Sequence, residues 1–185
     1  MNLLETLLKN NEEFVSNKDY LNYQTSKTPD KKVLIVSCMD SRLTELTYKA
    51  LGLKNGDIKQ VKNAGAMITH PYGSTMRSIL VAVYMLGVEE VIIMGHTDCG
   101  FGALKPEPIL SEMKSRGISD DVINTLMHSG IDVVDWLQGF ESVEESVNEN
   151  VKVVKQHPLM DKKVPVHGLV MNPDTGSVEV VHKDY

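Results

Sequence analysis

The chain lacks most of what marks a secreted scaffold, a membrane protein or a nucleic-acid binder. Only two of its 185 residues are cysteine, Cys38 and Cys99, which excludes a disulfide-stapled fold. Its longest apolar stretches, such as 79–85, are far shorter than the ~20 residues that cross a bilayer, so no membrane association is expected. Basic charge is scarce as well. Nineteen Lys and Arg stand against 25 Asp and Glu, a net charge of −6. That balance argues against phosphate-backbone binding, so no nucleic-acid partner is expected. No basic segment opens the chain and Glu5 lies within its first turns. Together with free cysteines, this predicts a reducing, cytoplasmic setting. Internal repeats and low-complexity segments are missing too. What remains is 42% hydrophobic and 24% charged, ordinary for a globular domain. At this length a single core can bury roughly 70% of the unfolded surface.

The hydrophobic pattern then divides the chain. Residues 1–15 carry Leu3, Leu4, Leu7 and Leu8 on one stripe, extended by Phe14 and Val15, which predicts an amphipathic helix. The polar stretch 16–32 reads as a surface connection, so this helix is an arm free to pack elsewhere, on a second subunit for example. Val33-Leu34-Ile35-Val36 and Val91-Ile92-Ile93-Met94 are short β-branched runs, the mark of strands buried on both faces. Residues 58–61, 166–171 and 178–181 read as three further strands. Residues 43–51 read as a helix closed by Gly52, and 75–86 as a helix capped by Ser74 and closed by Gly87. Residues 101–140 are helical but broken by Pro106, Pro108, Gly117, Gly130 and Gly139. Ser142-Val143-Glu144-Glu145 reads as a capping box for a helix with Val143, Val147, Val151 and Val154 on one face. Alternating strands and helices predict an α/β fold. The expected sheet has four mostly parallel central strands plus an antiparallel edge strand, with helices on both faces and an N-terminal helical arm. One domain is expected over 1–185, with arm and connection over 1–30 and the α/β core over 31–185.

Two chemical segments follow strands directly. Ser37-Cys38-Met39-Asp40-Ser41-Arg42 follows the first, and Gly95-His96-Thr97-Asp98-Cys99-Gly100 the third. Ligands of open α/β sheets bind beyond the carboxyl ends of strands. Both cysteines therefore fall on that edge, beside a histidine. Two Cys and one His suit zinc, and three protein ligands leave a tetrahedral ion one open position. Cys38, His96 and Cys99 are the predicted metal ligands. Asp40 and Arg42 are spaced to point the same way from an extended chain and to pair as a charge-assisted fork. Beside zinc, Asp40 would accept a hydrogen bond from the metal's water, or leave Arg42 and take the open position itself. Two thiolates cancel the ion's charge and acidify its water less than neutral imidazoles would, which predicts activity rising above neutral pH. Gly95 and Gly100 are expected to give the second loop its tight turn, and Asp98 to cap the following helix.

Cys38-x-Asp40-x-Arg42 and His96-x-x-Cys99 resemble the two zinc motifs of the β-class carbonic anhydrases, in the right order. Asn63-Ala64-Gly65, Arg77-Ser78 and Val166-His167-Gly168 also look like segments of that family, and the likeness spans roughly residues 30–182. The length and the sequence between the motifs are most similar to its shorter prokaryotic subgroup. Lys62 departs from the pattern, standing where many members carry Arg. The resemblance implies one zinc ion per subunit and reversible hydration of carbon dioxide to bicarbonate and a proton, by attack of zinc-bound hydroxide. It implies Asp40 and Arg42 as the catalytic dyad. Asn63, Ala64, Gly65 and Gly100 would line the substrate pocket. It further implies a homodimer or higher homo-oligomer joined through the N-terminal helices. His70, in the loop after Asn63–Gly65, is the candidate proton shuttle. Three rival readings stay open: hydrolysis of carbon disulfide or carbonyl sulfide on the same scaffold, a non-catalytic zinc-binding protein closed by Asp40, and a redox dithiol protein.

Overall fold

A computed structural model describes residues 2–185. Its sheet has five strands in the order β2-β1-β3-β4-β5. They are β1 Val33–Cys38, β2 Ile58–Asn63, β3 Glu90–His96, β4 Val166–Met171 and β5 Val178–His182. The first four run parallel and β5 is antiparallel to β4. The expected four-plus-one sheet is therefore present. β2 runs two residues further than the apolar pattern suggested, because its polar end, Lys62-Asn63, still pairs with Ser37 and Cys38.

Period-2 alternation in the strands builds two cores. Leu34 and Val36 of β1, Val91 and Ile93 of β3, and Val166 and Val170 of β4 face one side. They meet α3 (Ser74–Met85) through Met76, Ile79 and Ala82, and α7 (Val143–Gln156) through Val147, Val151 and Val154. Ile35, Met94 and Met171 face the other side, where Leu43 of α2 (Leu43–Ala50) joins them. Each fully buried Val, Ile or Leu contributes about 1.5–3 kcal/mol relative to exposure, so these layers dominate stability. α7 approaches the sheet closely because two strand positions are glycine. A Cβ on Gly95 would lie 2.6 Å from Val143, and one on Gly168 2.7 Å from Val147.

Several local expectations are corrected. Gly95 lies inside β3 and serves this packing rather than a turn, and Gly100 has open space around it. The left-handed residues of that loop are Asp98 and Ala103, at φ 52° and 54°. Gly73, not Ser74, is the N-cap of α3, with no side-chain cap bond. Ser142 does cap α7 by accepting from Glu145 N, and its hydroxyl donates to Glu144; the return bond from Ser142 N to the Glu145 side chain is missing among the described residues, so the capping box is not closed.

Between β3 and α7 the chain makes an excursion through α4 (Pro106–Ser115), α5 (Asp120–His128) and α6 (Val133–Leu137). Its base is cinched where Ala103 N donates to Phe140 O at 2.6 Å and Gly139 N to Leu104 O at 2.9 Å. Phe101 and Phe140 face each other there with ring centres 6.4 Å apart. α1 (Leu3–Ser16) is capped at Asn2 by a full capping box and has no buried residue. No helix among the described residues is long and apolar enough to cross a membrane.

Candidate metal centre

The order of strands places the site. The chain steps from β1 outward to β2, then returns past β1 to β3 on its other side. Such a reversal opens a crevice at the carboxyl ends of the two diverging strands. Cys38 ends β1 and His96 ends β3. The ligating atoms of Cys38, His96 and Cys99 all lie within 4.8 Å of one another. Cys38 and His96 are buried and Cys99 is half-buried.

Two observations show that this cage fits a zinc ion. The sulfurs of Cys38 and Cys99 stand 3.8 Å apart. That is the spacing of two thiolates at ~2.3 Å from one tetrahedral ion, and far beyond a disulfide bond of ~2.05 Å. The thiols are free. Next, His96 Nδ1 pairs with the Thr97 carbonyl at 2.8 Å. A carbonyl only accepts, so the proton sits on Nδ1 and the Nε2 lone pair is available. Nε2 is buried with no hydrogen-bond partner among the described residues, a costly state unless a ligand relieves it. The thiols are unequal as well. With Cys99 as the donor of the pair, the Cys38 thiol is pulled well below its ordinary pKa, against the opposing effect of burial; backbone groups of Asp40 and Gly65 help. Cys99, as that donor and itself partly buried, is pushed up. A divalent cation bound there would take the place of that shared proton.

Asp40 and Arg42 meet, though not from an extended strand. β1 stops at Cys38, and the pair sits in the turn into α2. Arg42 Nη2 donates to Asp40 Oδ2 at 2.9 Å, Nε reaches both carboxylate oxygens at 3.2 and 3.3 Å, and the Arg42 backbone N donates to Oδ1 at 2.8 Å. This contact holds the Asp40 carboxyl down at about 2, so it is a carboxylate throughout the neutral range. Asp40 Oδ2 lies 3.8 Å from His96 Nε2, at the mouth of the cage. Lys62, from β2, bonds Thr44 Oγ1 at 3.1 Å and the Asp40 carbonyl at 3.5 Å.

A cavity of about 280 Å³ opens on the two sulfurs, walled by Met39, Asp40, Ala64, Gly65, Gly100 and Phe101. Asn63 is not on this wall. It is the β-sheet partner of Cys38, and its amide ties the next loop together by donating to Met67 O at 2.7 Å and Thr75 Oγ1 at 3.1 Å. It lines a neighbouring cavity of about 350 Å³ that shares Ala64 and Phe101 with the first. His70 lines that second cavity, and its Nδ1 accepts the Tyr72 N–H. Asp98 caps no helix, since α4 begins at Pro106 behind Lys105. It reaches Arg42 instead, a contact across 56 residues that no local pattern reveals.

The fold and site define a class: an α/β protein whose Cys₂His donor set could hold one metal ion and would leave a tetrahedral ion one open position, as in catalytic zinc sites. A family model described as carbonic anhydrase matches residues 33–178. The crystal structure of β-carbonic anhydrase isoform I from Trichomonas vaginalis superposes with a TM-score of 0.88 at 31% identity, over 100% of both chains. The Bacillus subtilis (strain 168) protein named "Putative carbonic anhydrase YvdA" is 55% identical over 98% of this chain and 92% of its own length. A carbon disulfide hydrolase of Acidithiobacillus thiooxidans is 27% identical over 83% of this chain and 78% of its own. The chain belongs to the carbonic anhydrase family, in its β class.

Proposed function

We propose that this chain hydrates carbon dioxide reversibly to bicarbonate and a proton, with zinc held by Cys38, His96 and Cys99. The observation that carries the reading is the three-donor cage with the His96 Nε2 lone pair unspent inside it. Bound there, zinc supplies Lewis-acid activation of the water that attacks the carbon. The remaining work falls to the chain. The thiolates balance the ion's charge, and the Thr97 carbonyl keeps the imidazole in the ligating tautomer. Asp40, ionised at neutral pH, accepts a hydrogen bond at Oδ2 from a group at the open position, while Arg42 restrains it from taking that position itself. Substrate enters beside Ala64, Gly65 and Gly100, with Asn63 set back on the neighbouring cavity. A linear molecule without a dipole suits a small cavity with Ala64 and Phe101 on its wall.

Residues 1–185 form one domain in this reading, with 1–30 as arm and connection and 31–185 as the α/β core. The leucines of α1 are half to three-quarters exposed. A second copy of the chain is the partner that would cover them, giving a homodimer or higher homo-oligomer. Free thiols at the metal site favour a reducing cytoplasm.

Stopped-flow hydration of carbon dioxide tests the proposal on zinc-quantified protein at about pH 7 and about pH 8.5. Hydration that quickens with pH, and is lost together with zinc in Cys99→Ser, is the expected result. Sulfide release from carbon disulfide without hydration would transfer the assignment to the sulfur substrate. Zinc bound with neither activity would leave a non-catalytic site.

A further inference from the structure

Arg42 has a second carboxylate neighbour. Its Nη1 donates to Asp98 Oδ2 at 2.9 Å, and its Nη2 donates to the Asp98 carbonyl at 2.9 Å. Neither bond takes the edge that Nε and Nη2 turn toward Asp40. All three guanidinium nitrogens are thus engaged, and the plane is fixed from two sides. Asp98 adopts φ 52° to do this, a left-handed conformation that an ordinary side chain disfavours. Such a residue costs of order 1–3 kcal/mol unless its surroundings hold it, and such outliers gather at functional sites. The arrangement is also economical in chain: Asp98 sits between the ligands His96 and Cys99, so the loop that supplies two donors also carries the brace.

We infer that Asp98 is a positioning residue for the hydration reaction. It locks the Arg42 guanidinium plane, and through it the direction of the Asp40 carboxylate beside the metal cage. A merely exposed ion pair would do less. Asp98 is 83% exposed at its side chain, and an isolated pair at such a site adds little stability. Its effect therefore lies in orientation, where small displacements at a reacting centre change rates many-fold. The activity arm of this inference rests on the carbonic anhydrase reading, whereas its structural arm does not.

The test uses zinc-loaded protein and two variants. Asp98→Gly keeps the backbone carbonyl and suits a positive φ, so it removes the carboxylate without adding strain. Asp98→Asn tolerates the same φ and retains an acceptor oxygen. In wild type, the hindered guanidinium is expected to give separate Arg42 Nη proton resonances by nitrogen-edited NMR. Asp98→Gly is expected to merge them and to lower kcat/KM by about threefold to tenfold, with the thermal midpoint unchanged. Asp98→Asn is expected to restore both readings. Unchanged Arg42 resonances in Asp98→Gly would overturn the inference, and so would merged resonances with unaltered kcat/KM. If wild type hydrates no carbon dioxide, the function fails on its own ground. The Arg42 resonances then still decide whether Asp98 is the brace.

Discussion

α1 and α7 are each 14 residues long, each begins with a side-chain cap and each carries an apolar stripe. Their fates are opposite. α7 buries Val147, Val151 and Val154 against β3 and β4, whereas α1 buries nothing. Leu3, Leu4, Leu7 and Leu8 lie 75%, 64%, 56% and 54% exposed. Periodicity reports that a helix has an apolar face. It does not report whether the surface that covers the face belongs to the same chain. α7 is part of the folding unit, and α1 is an offer of contact.

The comparison breaks most severely at the centre of the α7 stripe. Val151→Asp would place an unpaired carboxylate where the side chain is 1% exposed, at a cost above about 4 kcal/mol. Loss of the far-ultraviolet circular dichroism signal and of soluble protein is expected, and a cooperative unfolding transition near the wild-type midpoint would contradict the packing. Metal removal comes next. A ligand that binds only the folded state stabilises it by about 3 kcal/mol at a hundred times its dissociation constant. Chelation should therefore lower the thermal midpoint of the core that α7 completes, while the mass in solution stays the same. Gly168→Ala would press a Cβ onto Val147 at 2.7 Å and His182 at 3.1 Å. Lifting α7 in this way should cost about 1–3 kcal/mol in urea unfolding. The smallest effect on unfolding belongs to the arm. Leu4→Ser with Leu7→Ser should move the stability of the isolated chain by less than about 0.5 kcal/mol, yet lower the mass measured by light scattering. An undiminished mass would rule α1 out as the joining surface.

Much of this was legible because strand and site announce themselves together. The β-branched runs of β1 and β3 end in Cys38 and His96, so a strand pattern carried the metal donors to one edge. β2 was readable only in its apolar half, since Lys62 and Asn63 are held by pairing rather than by burial. The charges of Asp40 and Arg42 predict their pairing, but the spacing does not reveal its geometry: a turn, not an extended strand, aligns them. Asp98 is hidden from the sequence. Its type and place satisfy the pattern of a helix cap, but no helix starts there until Pro106. Its real partner depends on a backbone conformation and on the adjacency of β1 and β3, and neither is encoded within a short window.

The cage at the ends of β1 and β3 has a kinetic corollary. Two of its donors, Cys38 and His96, are fixed by a sheet that hydrophobic packing completes, and Cys99 follows three residues on, so an incoming ion meets a largely finished receptacle. Capture should then keep pace with thiol proton loss and with passage past Met39, which lies 65% exposed at the rim. Exchange of one divalent ion for another should likewise proceed with the fold intact, so the protein can be reloaded with a spectroscopic metal under native conditions.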